Sequence, residues 1–142
     1  MLLVIPIDVL TSILKKAKEV DYEICGFIFG KREGNKFIGK RARFIENTLR
    51  SPIRFKMNPE EMLKALEEAE KLGEEPVSIF HSHVNCPPYP SEEDLKGMRN
   101  WRIPWLIVNR KGEFSAYILE GDEIKKVEVE LRYPNRTPPS RA

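Results

Sequence analysis

Two histidines, a serine and an aspartate fall at spacings that suit metal chemistry: His81-Ser82-His83, then a seven-residue interval to Ser91, then Asp94 three positions on. His81 and His83 close the apolar run Val77-Ser78-Ile79-Phe80, which reads as a buried strand. The two-residue period of a strand puts both imidazoles on one face, where two ring nitrogens can converge on one ion. Pro90 followed by Ser91-Glu92-Glu93-Asp94 reads as the capped first turn of a helix, from which Asp94 points back. Two neutral nitrogens and one carboxylate leave a fourth tetrahedral position for water, the arrangement of a catalytic rather than a structural zinc. Imidazole also suits iron, nickel or copper; zinc is the choice for hydrolysis, with iron as the alternative.

Each piece taken alone has an ordinary explanation. His81 and His83 are the only histidines of the chain and could be satisfied core residues or a surface pair. Ser91-x-x-Asp94 could be no more than a capping box. The combination at the end of one apolar strand is harder to assign to chance. Further upstream, Glu23 sits in Asp21-Tyr22-Glu23-Ile24-Cys25-Gly26-Phe27, where a helical pattern gives way to an apolar strand. A carboxylate there is either a solvated acid at the end of a helix or a buried group with a task. A metal-activated water needs a nearby base to take its proton and hand it on to a leaving amine.

Glu23, His81-Ser82-His83, Ser91 and Asp94 together resemble the E, H-S/T-H-x7-S-x2-D signature of the JAMM (MPN+) zinc metalloproteases, which remove ubiquitin and ubiquitin-like modifiers. The similarity runs over about residues 2–131, and no motif position is missing. The resemblance implies that His81, His83 and Asp94 bind one zinc ion per chain. It implies that Glu23 is the general acid/base acting on a zinc-activated water, and that Ser91 stabilises the oxyanion of the tetrahedral intermediate. Ser82 would face the other side of the strand as structural support.

The interval between Asp94 and the next strand is short, so the chain resembles the minimal archaeal and bacterial members rather than the eukaryotic ones with long insertions. The reaction implied is hydrolysis after the C-terminal Gly-Gly of a ubiquitin-like small modifier linked to lysine, with modifier and conjugate as partners. Residues 50–56 are a candidate flank for strand addition of the modifier tail. Two alternatives stay open: a peptidase that trims a sulfur-carrier protein to its Gly-Gly end, and a non-catalytic scaffold of the same fold. A zinc deaminase would need H-x-E and P-C-x-x-C, and neither is present.

The elements that must position these groups give an α+β order. Residues 2–5 read as a strand, and Leu10, Ile13, Leu14 and Ala17 form the stripe of a first helix. Strands follow over 25–30 and 37–46, joined at Glu33-Gly34-Asn35. Asn58 as N-cap, Pro59, Glu60 and Glu61 open a second helix that stops at Gly73. After the metal strand and the Ser91 helix come strands over 104–108, 114–119 and 124–131, with turns at Lys111-Gly112 and Gly121-Asp122. The family resemblance implies a single domain over 1–132, a curved mixed β-sheet flanked by helices with a layout like that of cytidine deaminases. Residues 133–142, rich in Pro, Arg and Ser, read as a flexible tail.

Composition narrows the setting. The chain has 142 residues, 24 basic and 22 acidic, with a net charge of +2 that argues against nucleic acid as a partner. The local run Lys40-Arg41-Ala42-Arg43 reads as a solvated strand edge. The start of the chain lacks a charged n-region, and no apolar stretch approaches the roughly 20 residues of a membrane span. The expected location is cytoplasmic, as a monomer or homodimer away from membranes. Cys25 and Cys86 are too few for a secreted disulfide scaffold; they are either unpaired or bonded to each other across the motif.

Overall fold

The computed structural model describes residues 1–134. The expected tail over 133–142 lies largely outside the described residues. In chain order the elements are β1 (Leu2–Pro6), α1 (Ile7–Glu19), β2 (Cys25–Glu33), β3 (Lys36–Ile45), α2 (Pro59–Lys71), β4 (Glu75–His83), α3 (Glu92–Asn100), β5 (Trp105–Asn109), β6 (Phe114–Glu120) and β7 (Glu123–Arg132). Every element expected from the pattern is present.

The seven strands form one mixed sheet in the order β1-β3-β2-β4-β5-β6-β7, and it curves until it closes. Closure is made by β1, which pairs in parallel with both β3 and β7. The closing pairs cover Lys36–Ile38 of β3 and Glu128–Arg132 of β7, so the remainder of β3 stays unpaired on that side. The hairpins β2-β3, β5-β6 and β6-β7 are antiparallel, as their short turns require. β4 lies antiparallel to β2 and parallel to β5, so the strand that carries His81 and His83 has a partner on each side.

Strand alternation divides the core between two faces. Ile28, Phe80, Leu106, Val108, Ala116 and Ile118 pack with Val9, Leu10, Ile13 and Ala17 of α1. Phe27, Phe29, Ile79, Trp105, Ile107 and Tyr117 pack on the opposite side with Ala65 and Ala69 of α2 and Met98 of α3. His81 and His83 share the parity of Ile79 and therefore face α3. Asn58 caps α2 by accepting the amides of Glu60 and Glu61 at 2.9 and 3.2 Å. Gly73, at φ +71°, takes the left-handed turn that ends it.

The basic run at 40–43 pairs with β2 alone, because β1 reaches no further along β3 than Ile38, so it lies along an unpaired stretch of strand edge, where acids engage it. Arg41 Nε donates to Glu74 Oε1 at 2.7 Å, and Arg43 sits 3.8 Å from Glu68. Among the described residues no helix is long and apolar enough to cross a membrane.

Candidate metal centre

Strand β4 delivers both imidazoles into the interior, with His81 fully buried and His83 5% exposed. Their Nε2 atoms stand 3.2 Å apart. Across from them, the capping box at the start of α3 fixes Asp94. Ser91 Oγ accepts the Asp94 amide at 3.1 Å, and the Ser91 amide donates back to Asp94 Oδ2 at 2.9 Å. The box turns the carboxylate toward the strand, so that Oδ1 lies 3.0 Å from His81 Nε2 and Oδ2 lies 3.1 Å from His83 Nε2. The cap and the ligand geometry are thus one arrangement, and the expectation that Asp94 points back from the first turn describes it.

The donor set fits a small dication. Zinc at roughly 2.0–2.1 Å from each donor implies tetrahedral edges of about 3.3 Å, close to the separations found. The second nitrogen of His83, Nδ1, donates to the Pro87 carbonyl at 2.8 Å, which fixes the tautomer and turns the Nε2 lone pair toward the cluster. His81 has no such tie on the side away from the cluster and is held there by rings. Phe55 stacks on it at 4.8 Å, Trp105 meets it edge-on at 5.7 Å, and its Nδ1 is buried without a partner among the described residues. With two imidazoles, one carboxylate and no thiolate, the set is of the kind that suits zinc.

Glu23 supplies a further buried acid, 4% exposed, in the irregular segment between α1 and β2. Burial lifts its carboxyl from 4.5 to about 7, against the pull of His81 and His83; Asp94 adds a smaller push upward. It is therefore neither the solvated helix-end acid nor an ordinary ionised carboxylate. Burial would raise Asp94 as well, but both imidazoles and the Ser91 amide hold it well below the usual carboxylate range. Burial works to lower His83, yet its bond to Asp94 and its tie to Pro87 leave it raised above 6.5. Two acids facing two imidazoles in the interior make a site whose charge a dication would balance.

Ser82, on the opposite strand face, accepts the Ile24 amide at 2.9 Å and so ties β4 to the segment that carries Glu23. Its supporting role is that tie. Ser91 is exposed beside the cluster, and its hydroxyl keeps a proton to donate while its oxygen accepts the Asp94 amide. Cys25 is buried and Cys86 exposed; neither is bonded to the other. The Cys25 thiol donates to the Ile45 carbonyl at 3.4 Å, and burial pushes it up to about 12.

A groove of about 450 Å³ opens beside Asp94, walled by Arg54, Phe55, Lys56, Met57, Met62, Trp101 and Trp105. Part of the 50–56 flank therefore borders the site. The Pro87 carbonyl and the aromatic walls are absent from the motif. The Pro87-Pro88 pair close after His83 is the one sequence feature near the first; nothing in the spacing of Phe55, Trp101 and Trp105 points to the second.

Residues 6–121 match the family described as prokaryotic homologs of the JAB domain. A protein named desampylase from Pyrococcus furiosus is 52% identical over 128 residues, covering 89% of each chain. A Haloferax volcanii protein of the same name is 28% identical over 128 residues, 86% of this chain and 91% of its own. The solution structure of a Desulfitobacterium hafniense protein superposes with a TM-score of 0.81 at 26% identity, covering 94% of both chains.

Proposed function

The chain belongs to the family of prokaryotic homologs of the JAB domain, and from that membership we propose that it is a zinc-dependent isopeptidase releasing ubiquitin-like small modifiers from lysine. The bond cut is the one after the modifier's C-terminal Gly-Gly. The observation that carries the chemistry is the convergence of three buried donors, His81, His83 and Asp94, at 3.0–3.2 Å beside a carboxyl lifted to about 7. The desampylases at 52% and 28% identity support the substrate class. A single catalytic domain over 1–132, working in the cytoplasm, completes the reading.

His81, His83 and Asp94 would hold the zinc, which when bound supplies a Lewis acid for the scissile carbonyl and for the attacking water. Glu23 takes the proton of that water and later gives it to the lysine amine that leaves. A carboxyl near neutrality can do both, since neither proton transfer is then strongly uphill. The Ser91 hydroxyl donates to the oxygen on which negative charge develops as the carbonyl becomes tetrahedral. Burial of the histidine face excludes bulk water and strengthens each of these interactions.

The test is metal analysis joined to two substrates. Purified protein should hold about one zinc per chain, and chelation should abolish cleavage of a modifier–lysine conjugate while most of the fold remains. A C-terminally extended sulfur carrier should be cut more slowly than that conjugate. Preference for the extended carrier would favour the trimming peptidase, and intact conjugate with zinc bound would favour a scaffold.

A further inference from the structure

From the hydrogen bonds of one buried amide we infer that Asn47 is a positioning residue for Glu23, coupling the acid's backbone to the loop that walls the groove. The inference rests on reading Glu23 as the proton carrier. Asn47 is 3% exposed and lies in the connection between β3 and α2. Its side chain uses all four of its hydrogen-bonding positions on backbone. Nδ2 donates to the Glu23 carbonyl at 2.9 Å and to the Arg54 carbonyl at 3.2 Å. Oδ1 accepts the Leu49 amide at 3.1 Å and the Lys56 amide at 3.0 Å.

No regular element holds Glu23, because β2 begins only at Cys25. An acid that must meet a water and a leaving amine in turn needs its backbone fixed by other means. Asn47 grips the Glu23 carbonyl, and the Ser51 carbonyl of the same loop accepts the Glu23 amide at 2.9 Å. The loop is itself bent sharply, with Arg50 at φ +43°, and its Phe55 stacks on His81. One carboxamide thus relates the acid, a metal-ligand ring and the groove wall. An oxygen alone cannot replace it, since two of the four bonds need amide donors.

The experiment measures steady-state kcat and KM for a zinc-loaded enzyme on a purified conjugate of a Gly-Gly-tailed ubiquitin-like modifier with a lysine peptide. Asn47→Ala is compared in the native background and in Glu23→Gln. The expected result is a fall in kcat of about 10- to 100-fold with zinc content unchanged, and no further fall when Glu23 is already Gln. Asn47→Asp serves if Asn47→Ala does not fold. It keeps the oxygen that accepts from Leu49 and Lys56, loses the donors to Glu23 and Arg54, and should lose kcat in the same way. A rise in KM alone would mean that Asn47 serves only the loop. An equal loss of kcat in both backgrounds would make it act independently of Glu23, and either result overturns the inference. Wild-type cleavage by Glu23→Gln itself would instead overturn the reading of Glu23 on which it rests.

Discussion

At the scale of single residues, the same groups carry both fold and chemistry, and substitutions can separate the two. Ser91 caps α3 and is assigned the oxyanion. Ser91→Ala should therefore lose roughly 10²- to 10³-fold in kcat. It should also lose about 1 kcal/mol of stability with the cap. Ser91→Thr keeps both functions, and kinetics beside thermal melts would show whether it does. Glu23 makes a pH-dependent contribution that can be read without any substrate. Its folded-state pKa is raised to about 7, so between pH 4.5 and 7 the metal-free fold binds a proton that the unfolded chain has released. Stability then falls as pH rises through that window, by on the order of 3 kcal/mol. Metal-free Glu23→Gln should match wild type near pH 4.5 and melt higher than it above pH 7. Equal melts at both pH values would remove the buried acid from the account.

The elements matter because the motif is divided between β4, the start of α3 and the irregular segment before β2, and some of that division was legible in the sequence. His81, His83, Ser91 and Asp94 lie within one strand–turn–helix unit, where strand period and cap chemistry fix the geometry locally. Glu23 was reachable only through the family signature, since nothing local distinguishes it from a solvated acid. Asn47 left no trace, because its four bonds go to backbone groups brought together by the chain's path. The aromatic cradle of His81 was hidden for a related reason: Phe55 comes from a loop and Trp105 from a strand. Helix α3 shows how tightly the ligand is held. A Cβ on Gly97 would sit 2.5 Å from Trp105 Cη2, and Trp105 is 2% exposed with its indole nitrogen donating to the Trp101 carbonyl. Helix propensity alone favours alanine there by about 1 kcal/mol. The collision should reverse that, giving about 1–3 kcal/mol of destabilisation for Gly97→Ala. As α3 moves it carries Asp94 with it, so zinc affinity should fall too. Calorimetric titration with zinc would measure that loss, and unchanged affinity would mean that α3 adapts without moving its ligand.

For the whole molecule, closure of the sheet is the property least visible in advance. Parallel pairing of β1 with β3 and β7 leaves no hairpin signal, whereas the antiparallel hairpins announce their turns. The sheet bears on the site more directly through β4, whose pairing with β2 on one side and β5 on the other gives His81 and His83 a rigid base. The two cores, one on α1 and one on α2 and α3, give the fold support that does not depend on metal. Chelation should accordingly leave the strand and helix content intact. The central claim joins this scaffold to one reaction, and one measurement addresses it directly: the mass of the product when zinc-matched wild type and Glu23→Gln are each incubated with a modifier–lysine conjugate. The account predicts rapid release of free modifier ending in Gly-Gly from wild type and only a slow residual release from Glu23→Gln. Equal cleavage by the two proteins, or an intact conjugate with both, would contradict it.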